Sequence, residues 1–433
     1  MYIILLVPNY SQKIFKFIPK TLNHYFLRIG EIGSRHLAAL LKECQSITCL
    51  ELSGNPLGDE GSAYICSCIG MHIAGFLEED NNPTIAQDSD SVATVYAPHN
   101  RSLTHLNLSS CGLNKVAADS LGNLFKGSQV LTSIRLDFNQ DLKAKDLKYV
   151  MNSLRAYNVA LQRLSFAETP LSAKTVGYIA RIVENISLPL QRLDLSHCGM
   201  IGAHIGHLAK FMTSAKFLSY LNVSSNDIGE EGAYFLSLII RGKVDVIGTH
   251  NPPLHTLDMN FCGVEADGCK EIFDAISTRP TLTSLNISNN RVGDDVASLR
   301  VSLSQARFSV LRMNGCQLGT KGASNLFDLL SNTHEHLLGH TLRALYLAEN
   351  EINDSAALAL NVCLKKNFVL EVLDLGFNSF TSNCADTLRQ ATSVSSSSNL
   401  QVKLLGLSVN MIGNKCDPYI LETPGMARSK VSL

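Results

Sequence analysis

The sequence predicts an α/β solenoid, a right-handed horseshoe with parallel strands on its concave side and helices on its convex side. Three observations predict it. The pattern L-x-x-L-x-L-x-x-N/C-x-L returns about twelve times, usually every 28 residues or so. Each copy leads into a turn and then into apolar residues at helical spacing. The ninth position of the pattern is filled almost always by Asn or Cys.

The chain opens with "MYIILLVPNYSQKIFKFIPK". Its apolar run, Tyr2 to Val7, is too short to span a bilayer. Lys13, Lys16 and Lys20 follow the run, whereas a signal peptide carries its basic residues first. Residues 1–24 are therefore read as an N-terminal cap or an uncertain start, and residues 25–415 as the repeat array. A degenerate unit ends at "LRIGEIG", Leu27 to Gly33. Full copies begin at Ile47 (ITCLELSGNPL), Leu103, Leu131, Leu161, Leu190, Leu218, Leu254, Leu282, Phe308, Leu342, Leu370 and Val402. The copy at Leu131, "LTSIRLDFNQDL", holds one extra residue.

The step from Ile47 to Leu103 is twice the period. It holds one expected helix near Gly61 to Phe76 and then "LEEDNNPTIAQDSDSVATVYAPHN". This acidic stretch, about 77–102, has no apolar periodicity and is read as an inserted loop. A degenerate unit around Val92 to Ala97 is the alternative. Shorter expansions are "RGKVDVIGTHNPP" and "SNTHEHLLGHT". Residues 416–433 form a tail outside the pattern.

Within a unit, alternating residues make a strand, and stripes such as Ala233, Leu236 and Ile240 make one face of a helix. Val296, Leu299, Leu303 and Ala323, Leu326, Leu330 repeat that stripe. Alone, a unit buries too little to offset about 1–2 kcal/mol of backbone ordering per residue. Stacking closes a continuous core. At the ninth position the backbone turns inward, where buried peptide groups need partners. Asn55, Asn139, Asn226, Asn290, Asn350, Asn378 and Asn410 are placed to form a ladder, and Cys111, Cys198, Cys262 and Cys316 fit the same slot. Thr169 departs from the rule and marks an irregular turn.

This helical unit of about 28 residues, with Asn and Cys trading at its ninth position, resembles the ribonuclease-inhibitor class of leucine-rich repeats. The resemblance covers about residues 25–415. It implies the horseshoe fold and, for function, a surface that binds protein. It also leaves open a GTPase-activating protein resembling the Ran-directed family, or a cytoskeletal actin regulator of tropomodulin or CARMIL type. Against the first stands the nearly neutral C-terminal tail, where that family carries a strongly acidic one.

Composition narrows the rest. The formal net charge is -1, and no basic stripe with interleaved aromatics appears, so nucleic acid is not an expected partner. Twelve cysteines without a CxxC pair read as reduced and buried, which places the chain in the cytoplasm, with the nucleus or cytoskeleton as variants. No phosphate loop, dinucleotide fingerprint, nucleophile elbow or HExxH is present. His336 and His340, with His334 nearby, would share a helical face, but zinc needs further ligands. No cofactor, metal or catalytic residue is therefore assigned. Asp194, Asp258 and Asp374 lie on separate strands and cannot converge on one small substrate.

The third, fifth, seventh and eighth positions are expected to face out of the core on the concave side. The residues assigned to partner binding are Arg135, Phe138, Arg163, Arg192, Asp194, Tyr220, Asp258, Phe261, Arg312, Tyr346, Asp374 and Phe377. Arg and aromatic side chains are the usual anchors of interfaces. The expected activity is a non-catalytic scaffold: a monomer without stable membrane insertion that binds a protein of unknown identity.

Overall fold

The computed structural model describes residues 21–23, 28–70, 72–73 and 95–96. It also describes 100–242 except 159, 186 and 214, then 254–384 except 279–280, 295 and 333–335, and finally 387 and 404–406. Most of the acidic insertion, the ninth-position Asn410 and the tail lie outside the described residues.

The chain forms two compact units, Met1–Leu193 and Asp194–Leu433. In the first, strands Thr21–Asn23, Cys49–Glu51, His105–Asn107, Ser133–Arg135 and Arg163–Ser165 pair in that order, all parallel. In the second, Tyr220–Asn222, Thr256–Asp258, Ser284–Asn286, Val310–Arg312, Ala344–Tyr346, Val372–Asp374 and Leu404–Gly406 do the same. Strand Arg192–Asp194 falls at the boundary. Register is in phase, so the fourth-position residues Leu221, Leu257, Leu285, Leu311, Leu345 and Leu373 line up. That phase keeps every inward side chain in the core. This is a leucine-rich repeat solenoid fold.

Three details depart from the sequence reading. Strand Thr21–Asn23 joins the sheet ahead of residue 25. The helix expected near Gly61 to Phe76 is Gly58–Ile69, and His72–Ile73 beyond it pairs antiparallel with Val95–Tyr96 of the insertion, so Val95–Tyr96 is not a further rung of the parallel sheet. The stripe Val296, Leu299, Leu303 is buried as expected, but its helix is only Arg300–Gln305. The reason is length: Leu285 pairs with Leu311, 26 residues on, which leaves two fewer for the helix than the usual step.

First-, fourth- and sixth-position residues are buried along both units, joined by helix residues and by Phe125, Phe166, Phe273, Phe308, Phe327 and Phe380. Phe273 and Phe308 meet edge to face, ring centroids 6.5 Å apart.

The ninth-position ladder forms with a defined division of labour. Asn226 Oδ1 accepts the amides of Cys198 and Met200, each at 2.9 Å, while its Nδ2 donates to Leu195 and Val223 carbonyls. Asn290 does the same for Cys262 and Val264, and Asn350 for Cys316 and Leu318. Cysteine lacks the carbonyl oxygen, and its thiol donates to the previous repeat: Cys262 Sγ to Val223 and Cys316 Sγ to Ile287. Thr169 keeps the ladder with single bonds, accepting the Asn139 amide and donating to Leu136, both at 3.2 Å.

The Asn–Cys alternation dictates the turns. For two amides, at positions nine and eleven, to converge on one Asn oxygen, the residue between them must be left-handed. Accordingly, position ten has positive φ at Arg28, Gly112, Gly199, Gly263, Gln317 and Glu351, each ahead of a described ninth-position Asn in the next repeat. In three of the repeats followed by a ninth-position Cys, the left-handed residue is instead the twelfth, Gly58, Gly229 and Gly293, whereas Ser172, ahead of Cys198, is extended. Gln317, at φ 56° and exposed, bears a Cβ in this conformation. Gln317→Gly is therefore expected to raise stability by about 1 kcal/mol; an unchanged or lower urea midpoint would contradict the turn rule.

Candidate partner-binding surface

Positions three and five flank the buried fourth-position leucine, so the pleat turns them to the opposite side of the strand. In the first unit this strand face carries Arg135, Arg163 and Arg192. Ser133 pairs with Arg163 and Arg135 with Ser165, so the first two arginines are diagonal neighbours. The amide of Arg192 bonds to Gln162, which sets its strand beside that of Arg163. Arg163 and Arg192 are exposed. Arg135 grips Asp137 Oδ2 through Nε and Nη2 at 3.0 and 2.8 Å.

The second unit carries the remaining assigned residues. Asp194, Asp258 and Asp374 are half-buried, and each accepts, through Oδ1, the amide two residues on: Ser196, Asn260 and Gly376. Asn222 and Asn286 make the same turn. These fifth-position side chains thus end their strands, a task that spacing alone did not reveal. Tyr220 is half-buried at a third position. Arg312 and Tyr346 are register partners, and the guanidinium lies 4.9 Å from the ring centroid, within cation–π range.

The eighth position is the least ordinary part of the surface. Every repeat from Ile47 to Leu370 has a residue with positive φ there, among them Ser225, Asn289 and Glu349. Phe138, Phe261 and Phe377 adopt φ of 57°, 57° and 53°, yet remain 48%, 63% and 55% exposed. Glycine or asparagine is the ordinary occupant of such a conformation. Here a bulky ring is held rigidly outward by a backbone fixed through bonds such as Phe261 N–H to Ser288 O at 3.0 Å.

The seventh position corrects the expectation that it faces out. Asp137 is 2% exposed and accepts from Arg135, the Ser165 hydroxyl and the Ala167 amide. Ser224 donates to Asp258, Ser288 accepts from Asn314, and Asn314 accepts from Ala348. This is a lateral polar row between repeats, and its sequence signal was the run of small polar residues at that position. A second asparagine row also went unread. Asn100, Asn158 and Asn367, three residues ahead of a first-position leucine, are buried and join the ends of successive helices.

The other chemistry stays quiet. Cys111, Cys262 and Cys316 thiols are pushed up to about 12, chiefly by burial, which keeps them protonated and unreactive. The described cysteines are free, and all but half-buried Cys49 are buried. His336 sits ahead of helix Leu337–Thr341 rather than in it, so it does not share a helical face with His340. His334 lies outside the described residues. Among the described residues no three His, Cys, Asp or Glu side chains gather as metal ligands, and no helix is long and apolar enough to cross a membrane.

A leucine-rich repeat protein is what this architecture defines. A family described as Leucine Rich repeat matches residues 43–66, 99–122, 214–237, 250–273, 279–296 and 340–360. The chain is similar to ribonuclease inhibitor of Sus scrofa, 25% identical over 371 residues, covering 83% of this chain and 77% of that protein. It is also similar to NACHT, LRR and PYD domains-containing protein 13 of Homo sapiens, 29% identical over 211 residues, 48% of this chain. That match spans only 18% of the human protein's length. A solved internalin from Listeria monocytogenes aligns over 86% of this chain and 85% of its own at 14% identity and TM-score 0.44. With the Asn–Cys ladder in place, the chain is a leucine-rich repeat protein of the ribonuclease-inhibitor type.

Proposed function

We propose that the chain is a non-catalytic scaffold, working in the reducing cytoplasm, that holds a protein partner against its strand faces. One observation carries the reading: Phe138, Phe261 and Phe377 are exposed rings on left-handed backbone. The solenoid needs the left-handed turn but not the ring, since Ser, Asn and Glu serve the same position in other repeats. An observed backbone outlier bearing a costly side chain points to function. Rigid aromatics bury large area with little ordering cost, which is what an anchor requires. Buried thiols that persist free support the compartment.

The test uses affinity capture from the native cell with mass spectrometry, comparing the intact chain with Phe261→Asn/Phe377→Asn. The variant is expected to keep its circular dichroism spectrum, to gain or hold thermal stability, and to lose the main captured protein. Capture that is undiminished would remove the phenylalanines from the binding surface.

A further inference from the structure

Arg312, Tyr346 and Asp374 stand side by side at the fifth position of three consecutive strands of the second unit, held there by register. The row runs cation, ring, anion. Val310, Ala344 and Val372 make a parallel row at the third position, where the three preceding strands carry Tyr220, Thr256 and Ser284. The strand face thus turns apolar beside the charged row. Val310 and Val372 are half-buried, with the smaller Ala344 between them.

The two charges of the row do not satisfy each other. Strands stand about 4.8 Å apart, so Arg312 and Asp374, two strands apart, are separated by about 10 Å with Tyr346 between them. Over a single step opposite charges do meet: Arg343 and Glu371, in the last two of these three repeats, are 2.7 Å apart. Among the described residues neither Arg312 nor Asp374 has an ion pair. The Arg312 side chain has the Tyr346 ring as its contact, and Asp374 gives Oδ1 to the Gly376 amide. The other carboxylates near the row are Asp258, two strands from Arg312 on its far side and bonded to Ser224 and Asn260, and exposed Glu349, beyond the strand end at the eighth position.

We propose that this row docks a helix of the protein partner that presents a carboxylate, an apolar side chain and a cation along one face. The inference rests on the scaffold reading and adds the partner's chemistry to it. Spacing selects a helix. Residues three and seven apart rise about 4.5 and 10.5 Å along a helix axis, close to one and two strand steps of about 4.8 Å. An extended chain returns to the same face only every ~6.7 Å and falls out of step with the strands. The carboxylate takes the Arg312 guanidinium in charge-assisted bonds, and the cation takes the Asp374 oxygen that the Gly376 amide leaves. The apolar side chain settles against the Tyr346 ring and over Ala344, between the two valines. Apolar contact supplies the buried area, and the opposite charges at its ends disfavour helices of uniform charge.

The experiment is fluorescence anisotropy of the full chain with three labelled, alanine-rich helical peptides. They carry Glu, Leu and Lys, or Glu, Leu and Glu, or Lys, Leu and Lys, spaced three and then four residues apart. The mixed peptide is expected to bind about fivefold more tightly than either other, since each of those loses one ion pair and meets a like charge. Asp374→Asn keeps an oxygen for the amide two residues on, as Asn222 and Asn286 do at the same position, so the strand end is preserved. It is expected to bring the mixed and the Glu-only peptides to equal affinity. Arg312→Gln is expected to do so for the mixed and the Lys-only peptides. Should Arg312→Gln fail to fold, by circular dichroism, the Asp374→Asn comparison still decides. No saturable binding of the mixed peptide, equal affinity of all three for the intact chain, or an unchanged preference in Asp374→Asn would each overturn the proposal. The scaffold reading is tested separately, by capture with the phenylalanine variant. Undiminished capture there with the peptide preference intact would overturn the phenylalanine anchors and leave this row. Capture lost there without any peptide preference would overturn only this inference.

Discussion

Asn226→Ala is expected to destabilise the second unit by roughly 3–4 kcal/mol, about the sum expected when several buried backbone groups lose their partners. The side chain is 1% exposed and serves both directions of the stack. Its removal strands the Cys198 and Met200 amides, and frees the Leu195, Val223 and Ser224 carbonyls. A methyl group fills none of those roles, and the slot is too apolar for water to enter easily. Because repeats hold one another pairwise, the damage should centre on the two repeats joined by Asn226 and then spread by loss of stacking. Cys316→Ala is the internal comparison. That thiol makes only weak bonds, Sγ to Ile287 O at 3.3 Å and to Asn314 O at 3.6 Å. It is expected to cost only about 1 kcal/mol. Urea unfolding followed by circular dichroism distinguishes them. Similar midpoints for the two variants would mean that the Asn carbonyl oxygen does not matter as described.

Phe273→Ala should be comparably severe, at about 3–5 kcal/mol. Phe273 is 1% exposed on the helix Ala266–Thr278 and meets Phe308, the fully buried first-position residue opening a later repeat. The lost ring removes transfer energy and leaves a cavity that packed helices close only in part. The edge-to-face pairing adds about 0.5–1.5 kcal/mol beyond burial. Phe273→Leu keeps most of the volume and is expected to cost less than half as much. A Phe273→Ala protein with an unchanged thermal midpoint would show that the helix layer packs more loosely than the burial implies.

The fold was legible in the sequence because each repeat states the same constraint again. Leucines at positions one, four and six, and Asn or Cys at nine, left no second way to bury them. What the pattern could not show was how neighbouring repeats negotiate. The left-handed residue at position ten answers to the Asn of the next repeat, as Gln317 answers to Asn350. Reading each repeat alone hides that dependence. The seventh position misled for a related reason. Alternation makes Asp137 point outward, but the chain has already left the strand there and folds the carboxylate onto the next repeat. The surface was half legible. The assigned residues at positions three, five and eight are half-buried or exposed, but Asn107, Ser165 and Ala344 at such positions are buried, and the turn-ending role of Asp194, Asp258 and Asp374 depends on amides two residues on, not on period.

Hydroxyl-radical footprinting of the free and partner-bound chain reads the binding face without any mutation. Phe138, Phe261 and Phe377 on the strand faces and Tyr157, Tyr234 and Phe368 away from them are comparably exposed, from 48% to 63%, so all six should be oxidised in the free protein. Binding is expected to shield the three eighth-position phenylalanines and leave Tyr157, Tyr234 and Phe368 as reactive as before. Shielding of those three, with the phenylalanines still oxidised, would place the partner on the helices and contradict the account.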